Sequence, residues 1–393
     1  MLCHALSSGA LPLACRLLAA LDRSPWSPPG SSGGLRCRLS VPKRFVTDGP
    51  PGNALEAQLA SAPDSVATYG RLRDFMAREY HRHKAHVFVG AIGIAVRSIA
   101  PLLIHKRVDP PVVVMDAAGN YAVSVLSGHW GGGNGLARHI SRILGPAAVI
   151  TTASDSLPGP SRALDELLRD AGLAILDWDA LPRAQAALLE GHKLTLWDPC
   201  RALGENALFT RLPDGFTPGP RRKGKAAGKG VPAPDDGTPI VTIHWRVLPP
   251  SPKTFRVAVP RLHVGVGCRL EVAPDRLMAA FERIVKEEEL EPAAIASIAT
   301  VAPKATDAAI VGLARSLGLP LKTFPADKLV QVPTPNPSGA AGCLFGCRPF
   351  SVCESAAMMA AGWPEASLVV PKRRIEGSMT LAVAVSGTDV GDG

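Results

Sequence analysis

Residues 124–140, SVLSGHWGGGNGLARHI, constrain the fold more than any other part of this chain. An apolar run stops at Ser127-Gly128-His129, and glycines follow at 131, 132, 133 and 135. A pattern of helical spacing then begins at once in GLARHISRIL. Glycines ahead of a helix let the backbone come close to a ligand, and the helix's first amides and dipole favour negative charge there. The loop reads as a holder for an anion: nucleotide phosphate, dinucleotide pyrophosphate or carboxylate.

The first two fit the residues badly. Gly128 to Gly133 has the spacing of a phosphate loop, but Asn134 stands where its lysine is needed. The dinucleotide fingerprint meets Leu136 when started from Gly131, and Arg138 when started from Gly133. Asp155, about 20 residues further on at a strand end, keeps a ribose-binding acid open. The neighbouring cations favour a carboxylate. AVRSIAPLLIHKRVDP places Arg97, His105, Lys106 and Arg107 close together, and such groups clamp carboxylates. His129 is either a packing residue or a proton carrier, since imidazole titrates near neutrality.

Periodicity gives strand–helix alternation in three blocks. The fold class is α/β, with mixed or parallel sheets flanked by helices. The first block, 1–155, opens with a strand and a helix. ATYGRLRDFMAREYHRH then reads as a helix, HVFVG as a buried strand and IGIAVRSIAPLL as an apolar helix. PVVVMDAAGNYAVSVL reads as a hairpin. The second block, 156–260, carries two helices, a strand and the strands PIVTIHWRVLPP and TFRVAVP, which pair with alternating character. The third, 261–388, holds RLHVGVGCRL, three helices, a glycine-rich loop at PNPSGAAGCLFGCRPF and a closing hairpin turning near Glu376-Gly377.

Bulk numbers bound the function. The 393 residues, at about 150 per domain, suit two or three domains. Net charge is +9, but Arg221, Arg222, Lys223, Lys225 and Lys229 all sit in one Pro/Gly-rich segment, a flexible linker near 219–236. Nucleic acid is therefore not an expected partner. The apolar run 85–96, bracketed by Lys84 and Arg97, is too short to span a bilayer. The N-terminus lacks a basic start, and Arg16 interrupts its apolar run, which argues against a leader. Eight cysteines form no disulfide framework, and Cys343, Cys347 and Cys353 lack the second pair that a zinc site needs. A reduced, cytoplasmic protein with no metal site is expected.

The segments FVGAIGIAVRSIAPLL, HKRVDPPVVVMDAAGNYAVSVLSGHWGGGNGLARHI and VITTASD, read in that order, resemble the cobalamin-biosynthesis family CbiG. VGVGCRL, PNPSG, SVCESAAMMAAG and LVVPK resemble the family's C-terminal domain, shared with CobE. PKATDAAI keeps Lys304 and Asp307 of that domain's usual pattern and loses its glycine. The resemblance implies cobalt-precorrin-5A hydrolase activity. That reaction opens a δ-lactone on a cobalt-bearing tetrapyrrole and releases acetaldehyde. No resident cofactor is implied, because the substrate carries the cobalt. Expected partners are the tetrapyrrole itself, with a homodimer and passing contact with neighbouring pathway methyltransferases left open. A non-catalytic tetrapyrrole carrier and a nucleotide-dependent enzyme are the other classes open.

Lactone opening needs a base for water, a stabiliser for the oxyanion and clamps for orientation. His129 is the candidate base, with Asp155 or Asp116 to orient it. Arg97, Lys106 and Arg107 are candidate clamps. Ser127, Gly128, Gly131, Gly132, Gly133 and Asn134 are candidate substrate contacts, the amides from Gly131 to Asn134 as anion donors. In the third block, Gly267, Cys268, Lys304, Ser351 and Glu354 are candidate substrate contacts. Cys268 follows Gly265-x-Gly267 at a strand end, yet no activating residue is visible beside it. Ser351 and Glu354 also read as a capping box, S-x-x-E.

Overall fold

The computed structural model describes residues 1–29, 34–47, 65–152, 163–204, 208–211, 239–269 and 272–387. Asp155 and the basic segment near 219–236 lie outside them. The chain divides into two compact units, Met1–Asp170 and Ala171–Gly393. The expected α/β architecture is present as three mixed sheets flanked by helices, the first two mostly parallel and the last with two parallel and two antiparallel pairings.

The first unit is built on β1 (Leu2–Ala5), β2 (Arg38–Pro42), β3 (Val66–Tyr69), β4 (His86–Val89), β5 (Val112–Met115), β6 (Tyr121–Leu126) and β7 (Ala147–Val149). Their order is β3-β2-β1-β4-β5-β6-β7, and only β5 and β6, the hairpin, run antiparallel. Its longer described helices are α1 (Leu11–Arg23), α2 (Leu72–Glu79), α3 (Ile92–Ile99), α4 (Gly133–Leu144) and α5 (Leu164–Asp170).

Alternate strand residues point to opposite faces. Cys3, Val87, Val89, Val113 and Met115 cluster with Leu13, Leu17 and Leu21 of α1 and Leu136 and Ile140 of α4. Leu2, Phe88, Val112 and Val114 cluster with Phe75 and Met76 of α2 and Ala95 and Ile99 of α3. Both faces are covered, which is why HVFV and VVVM are apolar without alternation. β2 and β3 carry no comparable run. Arg38 and Pro42 stand at the ends of β2, and strand pairing rather than local pattern places it.

A polar row crosses the middle of this sheet. His4 Nδ1 lies 2.5 Å from Ser40 Oγ, and His4 Nε2 lies 3.0 Å from His86 Nδ1. His86 Nε2 is 2.9 Å from the Tyr80 carbonyl, which can only accept. His86 therefore carries its proton on Nε2, His4 donates from Nε2, and Ser40 donates to His4 Nδ1. Burial pushes both imidazoles below their usual range, His86 to about 3.

The second unit holds two sheets. The first of them joins β8 (Ala174–Ile175), β9 (Leu194–Trp197), β10 (Phe209–Arg211), β11 (Ile240–His244) and β12 (Thr254–Ala258), in the order β10-β9-β11-β12-β8, with α6 (Leu181–Leu189). β11 and β12 do pair, but in parallel, and Ile240 to Ile243 are all buried where alternation was expected.

The other sheet joins β13 (Leu262–Cys268), β14 (Ile295–Val301), β15 (Leu321–Phe324), β16 (Ser367–Ile375) and β17 (Met379–Val385) in the order β15-β14-β13-β17-β16. Its longer described helices are α7 (Pro274–Glu287), α8 (Ala308–Ser316), α9 (Gly339–Phe345) and α10 (Val352–Ala360). The stretch read as a plain glycine-rich loop contains α9, which ends at Gly346 with φ 63°. α10 lies so close to β13 that a Cβ at Gly265 would sit 1.8 Å from the Cys353 carbonyl oxygen.

Candidate active site

The glycine loop joins β6 to α4 and folds on itself. Gly132 N donates to His129 O at 3.1 Å, Gly133 N to Ser127 O at 3.0 Å and Asn134 N to Gly128 O at 2.9 Å. Three of the amides expected to receive an anion are thus used inside the loop. The glycines have another cause. A Cβ at Gly128 would meet Asn134 Oδ1 at 2.5 Å, and one at Gly131 would meet Ser127 Cβ at 2.7 Å. At Gly133 it would meet Leu126 O at 2.9 Å, and at Gly132, where φ is 85°, Pro29 Cδ at 2.6 Å. Close packing, not phosphate, accounts for the pattern. Asn134 is buried and donates to Thr152 Oγ1 at 3.2 Å.

This folding holds His129 at the surface of the loop. Its Nδ1 lies 3.8 Å from Asp165 Oδ1 of α5. Asp165 is buried and also accepts the Glu166 amide at 3.0 Å. One helical turn on, Arg169 donates to the carbonyls of His129 and Trp130 and pairs with Asp170 at 2.8 Å. α5 therefore grips the loop twice, by a carboxylate at the imidazole and a guanidinium at the backbone. Neither residue is marked by the sequence, where RALDELLRDAG offers only a helical pattern. The expected orienting acids behave otherwise. Asp116 caps its own hairpin turn, accepting Tyr121 N at 2.7 Å and Asn120 Nδ2 at 3.2 Å. Asp155 lies outside the described residues.

The expected clamps lie in the same unit. Arg97 is exposed on α3, its Nη1 3.3 Å from Gly93 O. Lys106 and Arg107 are exposed in a turn closed by Asp109, whose carboxylate accepts Ile104 N at 3.1 and 3.2 Å. The Asp109 carbonyl accepts Ser127 Oγ at 2.8 Å, so the cationic turn is tied to the base of the His129 loop. Ser127 itself has φ 51°, an uncommon conformation for a residue with a side chain.

In the last sheet the named polar residues have partners within the fold. Lys304 Nζ pairs with Asp307 Oδ2 at 2.8 Å, and Asp307 also caps α8 through Ala309 N at 3.1 Å. Burial, with the nearby Asp307 carboxylate, pushes the Cys268 thiol up to about 11. A thiol so held is a poor nucleophile. Gly267 leaves room for Thr380, whose Oγ1 would lie 2.7 Å from a Cβ there. Ser351 is the N-cap of α10, but its side chain makes no capping bond, so the capping box does not form. Glu354 turns elsewhere. Fully buried, it accepts Asn336 Nδ2 at 2.8 Å, Lys372 N at 2.9 Å and Asn336 N at 3.2 Å. Burial alone would raise its carboxyl, but the bonds from Asn336 and Lys372 hold it below the usual range. It joins a loop, a helix and a strand.

Known proteins match both halves of this arrangement. The family models described as Cobalamin synthesis G N-terminal and Cobalamin synthesis G C-terminus match residues 74–155 and 262–384. The cobalt-precorrin-5A hydrolase of Salmonella typhimurium is 31% identical over 252 residues, covering 63% of this chain and 68% of that protein. The chain belongs to the CbiG family. A second CbiG relative, the cobalt-precorrin-5A hydrolase of Priestia megaterium, is 43% identical over 86 residues, 22% of this chain and 23% of its own length. Among solved structures, that of CobE, a protein of the cobalamin biosynthetic pathway, is 28% identical. It covers 33% of this CbiG chain and 92% of its own, with a TM-score of 0.31.

No helix of the described residues is long and apolar enough to cross a membrane.

Proposed function

We propose that this chain is a cobalt-precorrin-5A hydrolase, opening the δ-lactone of a cobalt-bearing tetrapyrrole and releasing acetaldehyde. The observation that carries this reading is the 31% identity, over 68% of its length, to a relative of that name. The residues suit the chemistry. His129 takes a proton from water, and Asp165, 3.8 Å away, steadies the imidazolium that forms. The hydroxide adds to the lactone carbonyl, the ring C–O bond breaks, and the imidazolium returns its proton to the departing oxygen. Neutral His129 then takes the proton of the freed hydroxyl, the bond joining its carbon to the macrocycle breaks with the electron pair left on the macrocycle, and acetaldehyde departs. Arg97, Lys106 and Arg107 bind the substrate's peripheral carboxylates.

The test is direct. Purified protein mixed with cobalt-precorrin-5A should release acetaldehyde stoichiometrically, read by a coupled dehydrogenase. Spectral binding without acetaldehyde would make the chain a tetrapyrrole carrier and end the hydrolase reading.

A further inference from the structure

We infer that the exposed aliphatic surface formed by Ile92, Val96, Leu103, Ile104 and Val108 is the bed on which the apolar face of the tetrapyrrole macrocycle lies. This deepens the functional reading above and rests on it for the identity of the ligand. Only Ala95, Ser98 and Ile99 of α3 are buried against the sheet. Ile92 and Val96, one turn apart on the same side of that helix, stay exposed, as does Leu103 just beyond it. Ile104 is 72% and Val108 54% exposed. A short helix that is apolar nearly all round, followed by an apolar turn, is uncommon on a surface unless something covers it.

Charge says what covers it. From Ala91 to Val108 the charged side chains are Arg97, Lys106 and Arg107, with His105 beside them and no acid. The first carboxylate that follows in the chain, Asp109, is buried and turned to the Ile104 amide. An apolar surface rimmed by cations matches a flat ligand with a hydrocarbon interior and an acidic fringe. Position agrees. Asp109 holds the turn that presents Ile104 and Val108, and its carbonyl accepts Ser127 Oγ, two residues before His129. The bed is thereby anchored to the loop that carries the base.

Ile104→Ser and Val108→Ser, combined in the full-length chain, test this. Both sites are exposed, so folding should be preserved, with the circular dichroism melt unchanged. Spectral titration with cobalt-precorrin-5A should show affinity at least tenfold weaker than wild type. In turnover, KM should rise while kcat stays within threefold. Affinity within twofold of wild type, or a wild-type chain that does not bind the compound, overturns the bed. A change from dimer to monomer on gel filtration with affinity unaltered assigns the surface to a second copy and also overturns it. Binding without acetaldehyde release by the wild type defeats the hydrolase reading alone, and the titration still decides the bed.

Discussion

Nδ1 of His129 lies 3.8 Å from Oδ1 of Asp165, and Arg169, one turn further along α5, binds the His129 carbonyl. The imidazole is placed by a helix that follows it in the chain, while its own loop is closed by internal hydrogen bonds. Two expectations come from this pairing. His129→Ala should lower acetaldehyde release about a hundredfold or more. Asp165→Asn should cost less and leave the melting temperature near wild type, because the imidazole keeps its loop and loses only the carboxylate beside it. A loss under threefold for His129→Ala removes it as the base.

The cationic turn gives a second expectation. Lys106→Ala and Arg107→Ala should raise KM severalfold at low salt and progressively less as salt is added, since contacts at an exposed site are screened. A KM that ignores both substitution and ionic strength would show that the carboxylates bind elsewhere.

The glycines give a third. Gly133→Ala places a methyl group 2.9 Å from the Leu126 carbonyl oxygen and should cost about 1–3 kcal/mol of stability by denaturant titration. Gly265→Ala should be worse and yield little folded protein, because its methyl would lie 1.8 Å from a backbone oxygen of α10. Were these positions merely flexible, alanine would be neutral or stabilising.

Cys268 provides a negative control for catalysis. With its thiol pushed to about 11, Cys268→Ser should retain turnover within threefold. Loss of activity together with a covalent adduct detected by mass spectrometry in the wild type would restore it as a nucleophile.

Acid sensitivity follows from buried histidines in both units. Burial lowers His86 to about 3, and burial with Lys322 nearby lowers His263 to about 4, against 6.5 in the unfolded chain. The unfolded state therefore binds more protons between those values and 6.5, so stability rises with pH there. The neutral histidines are fully accommodated above about 6.5, and stability is lost as pH falls towards 4 and then 3. Urea midpoints measured from pH 7 to pH 4.5 should fall steeply, and the slope should flatten in His263→Gln. A pH-independent midpoint would mean these groups are already charged in the fold.

Much of the architecture was legible because its cause is local. Pro274 and the spacing of Leu277, Phe281 and Ile284 specify α7 wherever that segment sits. The Glu376-Gly377 turn, with φ 50° and 66°, was equally plain from its glycine and flanking apolar runs. β2 was not, because five residues ended by Arg38 and Pro42 become a strand only through pairing with β1 and β3.

The candidate site was legible only as a choice of residue types, His129 and the cations. The role given to the loop glycines was not, since an anion cradle and a tightly packed turn require the same absence of a Cβ. Only Pro29, Asn134 and the Leu126 carbonyl, brought against those positions, separate the two readings.

By itself the sequence determined that strands and helices alternate in α/β layers, and which chemically active side chains were available. The tertiary structure alone decided that Asp165 rather than Asp116 meets His129, that Lys304 is paired with Asp307, and that Glu354 binds a loop and a strand instead of capping its helix. Periodicity is a property of neighbours along the chain, and burial follows from it. A hydrogen-bond partner is a property of neighbours in space, and sheet order sets those.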